Sequence, residues 1–291
     1  MMKILALHGL GSSTSMLQQQ LAPFVRDLGA SYQFTFLDGE IPCGRGPGVP
    51  NWVSGPFHSY ATGFTPLEVR EALDRLEVFI QEHGPFDGVF GFSLGAALAI
   101  SYMLDRQCKH TPAPFSFAVF FSPIFIASPD ESYCEQLLQR WLDDDHTVFR
   151  SKFPGGEFMP LLDDSSERTL AEYLRVVLLM QSMGVGMILP NTTIDFLGAG
   201  EVAGIPRLVH PDLLHERIRI PTVHVTGRKD SPYIGEQSRI AQKLCSASIM
   251  RVHEHDGGHD VPYKRSDVKN IVSSIQATAK EGRDIRDLYE L

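Results

Sequence analysis

Short apolar runs alternate along most of the chain with segments of helical periodicity. Residues 3–7, 115–121 and 222–226 form apolar runs that predict buried strands. Between such runs, apolar residues recur every three or four positions, as in the segment from Pro66 to the break at Gly84, a pattern typical of amphipathic helices. Strands that alternate with helices predict an α/β fold with a mostly parallel, doubly wound sheet and right-handed crossovers.

This alternation lapses in the middle of the chain. Residues 125–217 mix helical stretches with breaks at proline and glycine, and no run in them resembles the strands on either side. We therefore predict a core formed by residues 1–124 and 218–291, and a helical lid insertion at residues 125–217 that roofs the pocket. Residues 41–63 are dense in glycine and proline and predict a long loop, and such loops are often functional.

One pentapeptide stands where a predicted strand passes into a predicted helix. Residues 91–95 read Gly-Phe-Ser-Leu-Gly, after an apolar run at residues 87–90 and before a helix-forming run at residues 96–104. A serine on so sharp a turn holds strained backbone angles, and flanking glycines leave room for the turn. This context predicts a nucleophile elbow with the Ser93 hydroxyl exposed at the edge of the sheet. The alternative is an ordinary loop that contains two glycines and a serine.

A serine hydroxyl needs a neighbouring base, and an acid must orient that base. Asp230 directly follows the predicted strand at residues 222–226, and His259 follows the last predicted strand after two glycines. The order Ser, acid, His is that of the α/β-hydrolases, so we predict a catalytic triad of Ser93, Asp230 and His259. The competing candidates are His253, His255, Asp256 and Asp195.

The loop after the first strand reads His-Gly-Leu-Gly at residues 8–11. An oxyanion needs two amide donors, and we predict the backbone N–H groups of Leu94 and Leu10, with Gly11 as the alternative to Leu10. The same glycines resemble the dinucleotide fingerprint G-x-G-x-x-G. Thr14 occupies the place of its third glycine, which argues against that interpretation.

Length and charge narrow the class of protein. The 291 residues suffice for one large domain with an insertion, and the net charge of −9 disfavours nucleic acid and anionic membranes as partners. Four scattered cysteines without a C-x-x-C pair argue for reduced thiols and against a zinc site. The apolar part of the N-terminus is too short for a signal peptide, so a cytoplasmic location is expected.

Taken together, these motifs resemble the FSH-type serine hydrolase family, which includes fungal esterases and thioesterases. The matching stretches are residues 3–9, 36–39, 86–96, 221–230 and 255–262, with Trp52 in the loop after the second stretch. The resemblance implies an α/β-hydrolase fold and hydrolysis of acyl esters or thioesters without a metal or an organic cofactor. The chain departs from the family at residues 125–217, which are longer than in compact members and match no motif.

Several fungal members of this family are similar proteins encoded beside polyketide synthases, where they release an acyl chain from its carrier-protein thioester. The resemblance therefore implies an acyl thioesterase that forms an acyl-enzyme on Ser93. Its expected partners are a small-molecule acyl thioester and the acyl-carrier domain of a polyketide synthase, with no nucleic acid and no membrane. Two rivals remain: a carboxylesterase on oxygen esters, and a non-hydrolytic acid–base use of the same scaffold.

Flexible apolar side chains suit an acyl chain, and the insertion contains several of them. The candidate substrate contacts are Trp52, Met180, Met183 and Met187. The alternative for the methionines is that they pack the insertion onto the core.

Overall fold

A computed structural model describes residues 1–143, 146–155, 157–182, 189, 197 and 200–289. The strands in these residues are β1 (Met2–Leu7), β2 (Tyr32–Leu37), β3 (Ile41–Pro42), β4 (His58–Ser59), β5 (Gly88–Phe92), β6 (Phe117–Phe121), β7 (Thr222–Gly227) and β8 (Met250–His255). The main sheet has the order β2-β1-β5-β6-β7-β8, and every neighbouring pair in it is parallel. The prediction of a parallel, doubly wound sheet is confirmed.

Helices cover both faces of this sheet. They are α1 (Thr14–Leu28), α2 (Pro66–His83), α3 (Leu94–Cys108), α4 (Glu135–Leu142), α5 (Thr147–Lys152), α6 (Ser165–Ser182), α7 (Pro232–Lys243) and α8 (Arg265–Tyr289). The apolar sides of α1 and α8 pack on one face, and those of α2, α3 and α7 pack on the other. Because both faces are covered, the central strands β5 and β6 are buried throughout and appear in the sequence as continuous apolar runs.

Helix starts follow from local sequence. Thr65 caps α2, and its hydroxyl accepts a hydrogen bond from the Glu68 N–H while the Glu68 carboxylate accepts one from the Thr65 N–H. Proline in the first turn suits this position because its missing N–H would have no helical partner. The same logic places Ser231 as the cap of α7, directly after Asp230. The acid candidate therefore lies at the junction of a strand and a capped helix.

The long loop predicted at residues 41–63 contains regular structure. β3 and β4 form a small antiparallel ribbon, in which Ile41 pairs with Ser59 and Pro42 with His58. His58 also bridges Ser12, so the ribbon is attached to the loop that follows β1. A short bridge of this kind lacks the alternating pattern from which a strand can be predicted.

The described part of the middle segment shares the core of the sheet domain. Leu138, Trp141, Phe149 and Leu174 are buried in the same apolar cluster as α3. The buried guanidinium of Arg207 donates hydrogen bonds to main-chain carbonyl groups nearby. The division into a core and a lid at residues 125–217 stays a prediction.

Of the helices described, none combines the length and apolarity that a membrane span requires.

Candidate active site

Ser93 occupies the turn between β5 and α3 in a conformation that side chains rarely adopt, with φ 54° and ψ −117°. Glycine on either side is a steric requirement. A Cβ on Gly91 would lie 2.6 Å from the amide nitrogen of Ala96, and a Cβ on Gly95 would overlap the carbonyl oxygen of Leu7. The strained serine and its two glycines form the turn that the sequence predicts for a nucleophile elbow.

His259 lies between Ser93 and Asp230. Its Nε2 is 2.9 Å from the hydroxyl oxygen of Ser93, and its Nδ1 is 2.8 Å from Oδ2 of Asp230. A carboxylate only accepts hydrogen bonds, so Nδ1 carries the proton and Nε2 is free to accept the serine proton. The second oxygen of Asp230 accepts the Ser231 N–H at 2.8 Å. Such a chain can remove the proton from the hydroxyl as it attacks an acyl carbon.

Backbone contacts hold the acid loop against the histidine loop. The N–H of Lys229 donates to the carbonyl of Gly257 at 2.9 Å, and that of Arg228 donates to the carbonyl of His255 at 2.9 Å. The ring of Phe92 packs on the imidazole of His259 with centroids 5.1 Å apart. Main-chain hydrogen bonds therefore join the loops that carry Asp230 and His259, and the ring of Phe92 packs against the imidazole.

The competing candidates have other partners. The buried His255 accepts the Gly257 N–H at its Nδ1, and burial lowers its pKa. Nε2 of His253 is 2.9 Å from the Ser274 hydroxyl. The exposed Asp256 pairs with Arg228. These contacts give structural explanations for all three, and Asp195 lies outside the described residues.

The loop after β1 lies directly beside the serine. A Cβ on Gly9 would be 3.3 Å from the Cβ of Ser93, so this loop and the elbow are packed together. The N–H of Gly11 donates to the carbonyl of His58 at 3.1 Å, which engages the alternative oxyanion donor. Within the described part of the chain, the amides of Leu10 and Leu94 donate to no protein acceptor. Leu94 also begins α3, where the helix dipole favours negative charge.

A cavity of about 530 Å³ opens above Ser93 and His259. Its other described walls come from the loop after β1, from the first turns of α1, from residues 47–50 and 52–54, and from Phe92, Ile124 and Ile234. Serine, glutamine, proline and aliphatic residues predominate in these walls, and the ionisable residues among them are His259 and Asp260. The cavity therefore suits an uncharged group, and its size is that of a site for a small molecule.

The predicted substrate contacts separate into three cases. Trp52 lines the cavity and exposes 82% of its surface. Met180 is buried in the core with 1% exposed and is not among the described cavity residues. Met183 and Met187 lie outside the described residues. The described residues of 125–217 do not line this cavity, so the lid role of that segment stays a prediction.

Sequence reasoning missed the wall that α1 supplies. Met16, Gln19 and Gln20 line the cavity, yet the sequence pattern indicates only which side of this helix faces the core. A signal was available, because α1 starts at Thr14, just after the loop that ends β1. Its first turns must therefore border the carboxyl edge of the sheet, where parallel α/β folds bind ligands.

A parallel sheet with serine on a strand-to-helix turn, and histidine and aspartate on two later loops, defines a serine hydrolase of the α/β-hydrolase superfamily. The chain belongs to the family described as Serine hydrolase (FSH1), whose model matches residues 1–271. It is an enzyme of the hydrolase class.

Curated relatives carry esterase names. The chain is 40% identical over 275 residues to Esterase alnB of Emericella nidulans, which covers 94% of this chain and 95% of that protein. It is 35% identical over 282 residues to Esterase FPY3 of Fusarium mangiferae, covering 96% of each. The crystal structure of Paleococcus ferrophilus monoacylglycerol lipase superposes with a TM-score of 0.50 at 18% identity, over 95% of this chain and 94% of that one. This last likeness shows the fold.

Proposed function

We propose that the protein hydrolyses acyl thioesters through an acyl-enzyme on Ser93, with Asp230 and His259 as the other members of a triad. The observation that carries this proposal is the continuous hydrogen-bonded chain from Asp230 through His259 to Ser93 at the floor of the cavity. Its geometry matches what nucleophilic catalysis by serine requires.

In the first half-reaction, the Ser93 oxygen attacks the acyl carbon and its proton passes to Nε2 of His259. The amides of Leu10 and Leu94 donate hydrogen bonds to the resulting oxyanion. The intermediate then expels the thiol, which takes the proton from His259. In the second half-reaction, a water gives a proton to His259 and its oxygen attacks the acyl-enzyme carbonyl. Collapse releases the carboxylic acid and returns the proton to Ser93.

The acyl group that we propose is of medium or large size, delivered by an acyl-carrier domain of a polyketide synthase. The volume of the cavity, the uncharged residues that form most of its walls and the exposed Trp52 in its lining support an extended neutral acyl chain. The resemblance to fungal thioesterases encoded beside such synthases supports the carrier. Hydrolysis of oxygen esters is the second candidate, favoured by the esterase names of the relatives.

Two experiments test these statements in order. A fluorophosphonate probe should label the folded wild type at Ser93 and leave Ser93→Ala unlabelled; absence of wild-type labelling would refute the serine mechanism. Turnover is then compared on N-acetylcysteamine thioesters and matched ethyl esters of increasing chain length. Faster turnover of long thioesters supports the thioesterase. Equal rates on short ethyl esters and short thioesters, with no turnover of long thioesters, would contradict the thioesterase proposal and favour an esterase.

A further inference from the structure

His8 is the fully buried first residue of the loop that follows β1, and it does not line the cavity. Its Nδ1 is 2.7 Å from the carbonyl oxygen of Gly9. Its Nε2 is 3.0 Å from the N–H nitrogen of Gly39 and 3.0 Å from Oδ1 of Asp38. The ring of Tyr60 lies against the imidazole with centroids 4.7 Å apart. The imidazole is therefore held at both nitrogens and on one face.

These partners determine which nitrogen carries a proton. A carbonyl oxygen accepts hydrogen bonds and cannot donate, so the 2.7 Å contact with Gly9 requires a proton on Nδ1 of His8. Nε2 accepts from the Gly39 N–H in the neutral ring and donates to Asp38 if the ring is charged. In both forms Nδ1 remains a donor. The Gly9 contact therefore persists whichever partner Nε2 uses.

Asp38 is the anchor of this arrangement. Burial opposes its ionisation, but the hydrogen bond that the charged form of His8 donates through Nε2, together with the one from the Thr14 N–H, outweighs that effect and lowers its pKa. It is therefore a carboxylate at neutral pH, tied both to the imidazole and to the start of α1. His58, 3.4 Å away, adds a further contact on the same oxygen.

We infer that His8 is a positioning residue that sets the orientation of the Gly9–Leu10 peptide and so aims the Leu10 N–H at the reacting carbonyl. The inference rests on the proposed acyl-transfer function. A trans peptide directs its C=O and N–H to opposite sides. His8 holds the Gly9 oxygen on the side of its own buried imidazole, away from the cavity. The Leu10 N–H is therefore directed toward the opposite side, where Gly9 and Leu10 line the cavity.

Without the His8 contact this peptide is free to rotate. A rotated peptide would present the Gly9 oxygen to the cavity, replacing a hydrogen-bond donor with an acceptor where negative charge develops. Loss of one oxyanion donor typically lowers kcat by about 10²–10³ while substrate binding changes little. The effect of His8 should therefore appear in the transition state.

Two amide substitutions separate the two ring nitrogens. The side-chain nitrogen of His8→Asn reaches about where Nδ1 lies and keeps the donor to Gly9. That of His8→Gln reaches about where Nε2 lies and loses it. We expect H8Q to lower kcat by about 10²–10³ at nearly unchanged KM. The same variant should weaken, by the same factor, binding of a boronic acid, which becomes tetrahedral when the Ser93 oxygen adds to its boron. H8N should restore most of both losses, and thermal melts check that the two variants are equally folded.

Equal losses in H8N and H8Q at equal stability would overturn the inference, as would wild-type kcat in H8Q. If neither variant folds, ¹⁵N-histidine spectra of the wild type decide, because a ring protonated at Nε2 alone contradicts the assigned contact. Fluorophosphonate labelling keeps this result separate from the proposed function. Failure to label wild-type Ser93 would remove the function itself, whereas normal labelling with an unimpaired H8Q would remove only the role of His8.

Discussion

A side chain on Gly227 would overlap the carbonyl oxygen of Gly258. Gly227 ends β7 just before the loop that carries Asp230, and Gly258 immediately precedes His259. The two loops therefore meet backbone to backbone next to the contact between Asp230 and His259. This close approach positions Asp230 within 2.8 Å of His259.

Substitution of Gly227 should therefore damage catalysis and stability together. Gly227→Ala forces the two loops apart, and we expect at least a tenfold lower kcat and a lower melting temperature. The matched control is Gly235→Ala in α7, where the nearest atom to the new Cβ is 3.6 Å away on the flexible Arg239 side chain. In a helix this change should raise the free energy of unfolding by up to about 1 kcal/mol. An active, fully stable G227A would contradict the packing argument.

The triad assignment makes a sharper prediction at Asp230. Asp230→Asn removes the carboxylate that holds the Nδ1 proton of His259, and we expect kcat to fall by about 10⁴ with the fold intact. Asp256→Asn is the control, because Asp256 forms exposed ion pairs on the neighbouring loop and such pairs contribute little. Steady-state kinetics on one ester measure both. Comparable losses in the two variants would argue against Asp230 as the acid.

Two variants test which part of the chain forms the acyl wall, meaning the part of the cavity that would contact the acyl chain of the substrate. Trp52→Ala should lower kcat/KM for long acyl chains and leave acetyl ester turnover and stability near wild type, because Trp52 lines the cavity and is largely exposed. Met180→Ala should lower the free energy of unfolding by about 2–5 kcal/mol without changing chain-length preference, since it opens a cavity in the core. The reverse pattern would place the acyl wall in the middle segment.

Buried His224 should make stability depend on pH. It lies on β7 against Phe120 with 1% of its surface exposed, and burial lowers its pKa to about 3. Between about pH 6.5 and pH 3, the unfolded chain takes up a proton at this residue that the folded protein does not. The free energy of unfolding should therefore decrease as the pH is lowered across this window, by up to about 1.4 kcal/mol per pH unit.

Denaturant titrations of the wild type and His224→Leu measure this effect. The variant should lose part of the acid sensitivity, and its stability relative to wild type should improve steadily from pH 7.5 to pH 4.5. The comparison at pH 7.5, where the imidazole is neutral in both states, serves as the internal control. A constant difference across the range would contradict the assignment.

The sequence predicts the three candidate catalytic residues better than it predicts the walls of the cavity around them. Ser93, Asp230 and His259 could be proposed from their order and from the strands before them, because loops that follow parallel strands lie at one edge of the sheet. The acyl wall could not be assigned in this way. Met180 is a flexible apolar residue of the kind expected to contact an acyl chain, yet it packs in the core. The sequence could not decide between the two positions, because a single apolar residue on a helix suits either environment.

By itself, the sequence determined the alternation of strands and helices, the strained turn at Ser93 and the chain order of Ser93, Asp230 and His259, since each depends on local composition and on the shared direction of parallel strands. Tertiary structure alone decided which side chains meet across the fold. The contact of His8 with Asp38, the engagement of Gly11 by His58 and the α1 wall of the cavity join segments far apart in the chain. Such contacts depend on how packed layers fit together, and no local pattern of residues encodes that fit.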